Sequence, residues 1–146
     1  MKLLLIFIYL ITSNISYALE KPNLKNLVLS KNPKIYEEVV FKDSNNYDVN
    51  LDDFKGKLLI LNFWATWCNP CKAEMPTLEA IHKRFDNEKF TVIGIHVGPG
   101  PENIRNYLDI SPVSFPIFID MDLEYDWGVP GLPTTFLISP EGNMLY

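Results

Sequence analysis

Cysteine and histidine are scarce in this chain, two of each in 146 residues. Two cysteines exclude a multi-disulfide scaffold, a cysteine-held iron–sulfur cluster and an all-cysteine zinc site. They leave room for one bonded or reactive pair. Positive charge is also short: 13 Lys and Arg against 18 Asp and Glu give a formal charge of −5, with no basic cluster. Nucleic acid is therefore excluded as a partner, because phosphate binding needs grouped cations. Charged residues in total are only 21%, against 47% hydrophobic and 13% aromatic, so a packed core is expected and a disordered chain is not. The length fits one domain, without internal repeats or low-complexity segments.

Long apolar runs are missing as well. The longest, Leu3 to Ile11, is well short of the ~20 residues needed to cross a bilayer core of ~30 Å. It follows Met1-Lys2 and precedes Ser16-Tyr17-Ala18, where small residues occupy the two positions a signal peptidase inspects. Residues 1–18 are thus expected to be a secretory signal cleaved after Ala18; an uncleaved anchor reaching Leu19 is the alternative. No cysteine lies near the cleavage point, which excludes a bacterial lipoprotein anchor. Residues 19–32 are polar, rich in Asn and Lys, and expected to be a linker; residues 33–146 form the domain. Both cysteines then work in the periplasm or another extracytoplasmic space, where disulfides persist.

Alternation at Val39 and Phe41, turn residues Ser44-Asn45-Asn46, and renewed alternation at Val49 and Leu51 predict a β-hairpin. The run Leu58 to Phe63 predicts a strand covered on both faces. Met75, Leu78, Ile81 and Phe85 mark one side of a helix over about 69–85, which Pro76 is expected to kink. A second apolar strand, 90–97, completes a βαβ unit with parallel strands. Downstream, the pattern predicts a short helix over 102–108 opened by Pro101, a strand over 116–119, a helical turn near 123–127, a strand over 134–138 and a final strand after the turn Ser139-Pro140-Glu141-Gly142. The fold class is α/β with a mixed sheet.

Trp67-Cys68-Asn69-Pro70-Cys71 falls where the first parallel strand passes into the first helix, the end at which open α/β sheets gather reactive groups. Residues three apart share a helix face, so the two sulfurs can meet. Cys68, at the helix amino terminus, gains from its unpaired N–H groups and a partial charge of roughly +0.5, which favour the thiolate. It is expected to be the exposed attacking thiol, with Cys71 buried one turn in as the resolving thiol. A purely structural bridge fits less well: a loop this short stabilises by only ~2 kcal/mol in chain entropy. Half of a zinc site fits poorly too, because His82 and His96 lack the short finger spacing. Asp109, Asp120 and Asp122 have no metal-ligand spacing, and no metal is expected.

The stretch Asn62-Phe63-Trp64-Ala65-Thr66-Trp67-Cys68-Asn69-Pro70-Cys71-Lys72-Ala73-Glu74-Met75-Pro76 resembles the active-site signature of the thioredoxin superfamily, in its extracytoplasmic TlpA/ResA-like branch. Gly131-Leu132-Pro133-Thr134-Thr135-Phe136-Leu137-Ile138 is similar to the second signature, the cis-proline loop and its strand. The resemblance covers roughly residues 33 to 146. It implies a thioredoxin-like fold, a mixed central sheet flanked by helices with an added amino-terminal hairpin, and thiol–disulfide exchange without a cofactor. Protein dithiols and disulfides are the implied substrates, a membrane-embedded thiol protein the implied electron donor, and the chain is expected to act as a monomer.

Carried over by residue, Cys68 and Cys71 match the redox pair, and Pro133, with Leu132 before it, matches the cis-proline loop that offers backbone to the substrate. Trp67 is expected to form a landing surface for partners, and Trp64 to pack under the turn. Asn62 stands where cytoplasmic thioredoxins carry a proton-exchanging Asp; Glu74, one turn beyond Cys71, is expected to replace it as proton relay. His96 matches no family motif and is expected to be structural.

The proline of Cys-Asn-Pro-Cys is that of reducing thioredoxins near ~−270 mV and not the histidine of strong oxidants near ~−120 mV, which points to a reductant. Such family members include those serving cytochrome c maturation. Gly128-Val129-Pro130-Gly131-Leu132-Pro133-Thr134 departs from that subfamily by a proline for tyrosine and a threonine for glutamate. The alternative function is a copper-handling thiol protein, since Cu(I) favours thiolates, although the CxxxC-plus-histidine arrangement is absent. A peroxidase fits less, for want of a threonine-rich cysteine loop. Only thirteen residues follow Pro133, too few for the closing helix of the fold; that helix is expected to be missing and the domain truncated.

Overall fold

The computed structural model describes residues 39–98, 100–119 and 122–145, so the expected signal segment and linker lie outside the described residues. Strands β1 (Val40–Lys42) and β2 (Asp48–Asn50) form the expected hairpin, with Lys42 and Asp48 paired across it. A 3₁₀ turn, Leu51–Phe54, follows; Asn50 accepts the Asp52 N–H and Asp53 returns to the Asn50 N–H, a reciprocal cap. Then come β3 (Leu58–Trp64), α1 (Asn69–Arg84), β4 (Phe90–His96), α2 (Pro101–Ile110), β5 (Ile117–Ile119), the single turn α3 (Leu123–Asp126) and β6 (Thr134–Ile138).

The strands form one mixed sheet in the order β2-β1-β5-β4-β3-β6. β3, β4 and β5 run parallel; β6 lies antiparallel to β3, and β1 antiparallel to β5. Alternation along β3, buried on both faces, explains why its sequence is apolar at every position but Asn62. Leu59, Leu61 and Phe63 enter one core with Phe41, Ile93, Ile95, Phe118, Trp127 and Ile138, whereas Trp64 enters a second core with Val92, Phe115 and the buried faces of α1 and α2. Fully burying such side chains stabilises by ~1.5–3 kcal/mol each. The α1 stripe is Cys71, Met75, Leu78 and His82, spaced four, three and four, and His82, Lys83 and Arg84 place basic groups at the negative helix end.

α1 runs from Asn69 to Arg84 with Pro76 inside it, on its exposed side. The structure departs from the sequence expectations at the carboxyl-terminal hairpin. Among the described residues the final strand is reduced to bridge pairing, with Met144 opposite Ile138. There the Ser139 hydroxyl accepts from the amides of Glu141 and Asn143 and draws the chain into a local turn. Among the described residues no helix follows β6, and none is long and apolar enough to cross a membrane.

Candidate active site

β3 ends at Trp64, and the loop Ala65-Thr66-Trp67 carries the chain to Cys68, the N-cap of α1. The Cys68 amide donates to the Ala65 carbonyl at 3.1 Å, closing that turn, and the Cys71 amide donates to the Cys68 sulfur at 3.2 Å. Extended backbone at Cys68 and Pro70 in the first turn suit a helix start. The two cysteines are bonded, with Cα atoms 5.3 Å apart. An N–H aimed at the Cys68 sulfur is also what would steady a thiolate there once the bond is reduced.

Cys71 is fully buried, as the sequence predicts, but Cys68 is only 6% exposed and not the open thiol expected of it. It belongs to a buried cluster with Cys71, Trp64 and Met75, against which Leu132 also packs. The peptide bond Leu132–Pro133 is cis, and the Thr134 hydroxyl donates to the Gly131 carbonyl at 2.6 Å. Because Thr134 pairs with Phe63, Pro133 sits level with the end of β3, at the same end of the sheet as the dithiol turn. Trp67 stands out at 67% exposure beside Gly98, whose positive φ of 107° and lack of a side chain leave room for the indole. The structure thus brings Trp67, Cys68, Cys71, Leu132 and Pro133 to one end of the sheet.

Glu74 lies one turn beyond Cys71 and is half-buried. Burial pushes its carboxyl above the usual range, and a hydrogen bond from Asn62 partly offsets this. That bond, Asn62 Nδ2 to Glu74 Oε1 at 2.7 Å, and a second from the same amide to Thr135 Oγ1 at 3.0 Å, are features the sequence did not reveal. The available signal was strand alternation, which puts Asn62 on the helix-facing side with Trp64.

His96, expected to be structural, is fully buried at the end of β4 and stacks edge-on against Trp64, ring centres 5.0 Å apart. Its Nε2 accepts the Thr66 N–H at 3.1 Å. Burial drives its pKa down to about 4, opposed weakly by the Gly98 backbone. His82, buried in α1 against Phe115, accepts the Val92 N–H on Nδ1 and is likewise shifted down by burial. Among the described residues no three His, Cys, Asp or Glu side chains gather as a metal site would require.

Residues 34–146 match the AhpC/TSA family. The thiol-disulfide oxidoreductase ResA of Bacillus subtilis is 39% identical over 110 residues, 73% of this chain and 60% of the relative's length. A Chlorobium tepidum protein described as a DsbE thiol:disulfide interchange protein superposes with a TM-score of 0.73 at 26% identity, over 82% of this chain and 84% of that one. A thioredoxin-family thiol:disulfide interchange protein of the same species gives 0.68 at 28% identity, covering 80% and 86%. With a family match over most of its length, the chain belongs to the AhpC/TSA family, with a thioredoxin-like fold.

Proposed function

We propose that this chain is an extracytoplasmic thiol–disulfide oxidoreductase that reduces protein disulfides. The observation that carries the reading is the Cys68–Cys71 bond at the start of α1, both residues buried, at the same end of the sheet as the cis Leu132–Pro133 bond and the exposed Trp67. Cytochrome c maturation is one setting in which such a reductant serves, with a membrane-embedded thiol protein returning electrons to the pair. The leader-like residues 1–18 and a disulfide-permissive compartment support the location.

In the reduced protein the Cys68 thiolate attacks a substrate disulfide. A Cys68–substrate bond forms, and the other substrate sulfur leaves as a thiolate and takes a proton. Cys71 then gives its proton to the Glu74 carboxylate and attacks the Cys68 sulfur. The mixed disulfide breaks, the second substrate sulfur departs and is protonated, and the Cys68–Cys71 bond is restored. The substrate gains two electrons and two protons; the dithiol loses them. Glu74, half-buried and held by Asn62, has the raised basicity this transfer needs. Trp67 and the backbone around Pro133 supply the surface on which the substrate chain rests.

Trapping tests this. Reduced Cys71→Ser protein should accumulate mixed disulfides through Cys68 with disulfide-bonded client proteins, and Cys68→Ser should accumulate none. Tight stoichiometric Cu(I) binding with no mixed disulfide would favour copper handling instead.

A further inference from the structure

The three residues between β3 and Cys68 have little backbone to hold them. Val97 N–H bonds the Trp64 carbonyl at 2.8 Å as the last rung between β3 and β4, and the next fixed point is the Cys68 amide on Ala65. Between them the Thr66 N–H points across to the neighbouring strand and donates to His96 Nε2 at 3.1 Å; Thr66 Oγ1 lies 3.4 Å from the same nitrogen. A backbone N–H only donates, so Nε2 must offer its lone pair and the imidazole proton must sit on Nδ1. His96 is opposite Trp64 in the parallel register and braced edge-on by its ring, which fixes the imidazole plane toward the loop.

His96 is a costly choice for a mere filler. With Nε2 given to the Thr66 amide, the buried Nδ1–H finds at best a weak interaction with the Gly98 backbone, and a buried polar ring so poorly met carries a penalty of its own. Leu or Phe would fill the space without that penalty, but neither would meet the Thr66 amide.

We propose that His96 is the positioning residue of the dithiol turn: its Nε2 lone pair pins Thr66, and through Thr66 it sets Trp67 and Cys68 against the amino terminus of α1. The inference rests on Cys68 being the attacking thiol. Thiolate stabilisation at a helix start depends on how the sulfur meets the N–H groups, and reactive groups must be held within about 0.5 Å of a productive geometry. If the Thr66 amide is released, the Cys68 sulfur drifts from the Cys71 N–H and its reactivity falls.

The test reads Cys68 alone, as iodoacetamide alkylation of the reduced full chain in a Cys71→Ser background. In His96→Gln the side-chain oxygen falls near the Nε2 position; in His96→Asn it falls near Nδ1 and leaves Thr66 unmet; His96→Leu fills the space without an acceptor. At pH 7 alkylation should fall roughly tenfold in His96→Leu and His96→Asn and stay within about threefold in His96→Gln. Parental alkylation in His96→Leu, or equal loss in Gln and Asn, overturns the proposal. Should His96→Leu fail to fold, the Gln and Asn pair decides in the same way. A lowered melting temperature in all three with parental alkylation marks a purely structural histidine and also overturns it. Alkylation needs no protein substrate, so intact alkylation control by His96 in a chain that reduces no disulfide would count against the oxidoreductase reading and not against this one.

Discussion

Asn62 and Glu74 are joined by a 2.7 Å hydrogen bond that ties the middle of β3 to the second turn of α1. The donor is an amide that cannot titrate, and the acceptor is a carboxylate whose pKa burial has raised. In the proposed mechanism, proton exchange with Cys71 therefore falls to the helix and not to the strand.

Replacing Glu74 with Gln keeps an acceptor for Asn62 and removes the titrating group. Attack by Cys71 on a mixed disulfide should slow on the order of 10², the lower end of what a positioned base contributes, and the Cys71 thiol should titrate lower without a like charge beside it. An unchanged Cys71 titration removes Glu74 from the mechanism. Stability should move the other way. A carboxyl with a raised folded pKa holds its proton better when folded, so its ionisation weakens the fold as pH rises. Glu74→Gln should therefore be at least as resistant to urea at pH 7 as the parent.

The buried histidines predict acid sensitivity. His96 has a folded pKa of about 4 against an ordinary 6.5, and His82 is shifted in the same direction. Between those values the unfolded chain binds more protons, so stability is complete above about pH 6.5 and is lost as pH falls toward 4. His96 alone accounts for a loss on the order of 3 kcal/mol across that window. Urea midpoints at pH 7 and pH 4.5 check it: His96→Gln should lose less between the two than the parent, and an equal loss contradicts the assignment.

Much of this was legible in the residues, for reasons that are local. The β3-α1-β4 unit shows in apolar runs and a helical stripe, and the place of Cys68 and Cys71 follows from a CxxC spacing where strand becomes helix. The cis bond before Pro133 came from family resemblance, since nothing in the local residues separates it from an ordinary proline. What stayed hidden depends on distant pairing. Asn62 meets Thr135 across 73 residues, His96 meets Thr66 across 30, and β1 docks on β5 through Lys42 and Ile119. The burial of Cys68 belongs with these, because its cluster draws on residues as distant in sequence as Ile104 and Phe115.

Gly94 tests the packing beneath the site. A methyl group there would come within 2.6 Å of Ile117 Cδ1 and 3.1 Å of Trp64 Nε1, both in the core under the dithiol turn. Gly94→Ala should cost about 1–3 kcal/mol by overpacking, seen as a lower urea midpoint. A parental midpoint would mean that β5 yields more easily than this packing allows.

The central claim is that Cys68 and Cys71 form a reversible, reducing redox pair, and its most direct test is the equilibrium of the full chain with glutathione, read by alkylating free thiols. The account predicts a midpoint well below about −150 mV, in the region of thioredoxin's ~−270 mV. A midpoint above about −150 mV, or a bond that glutathione and dithiothreitol leave intact in the folded protein, would contradict it.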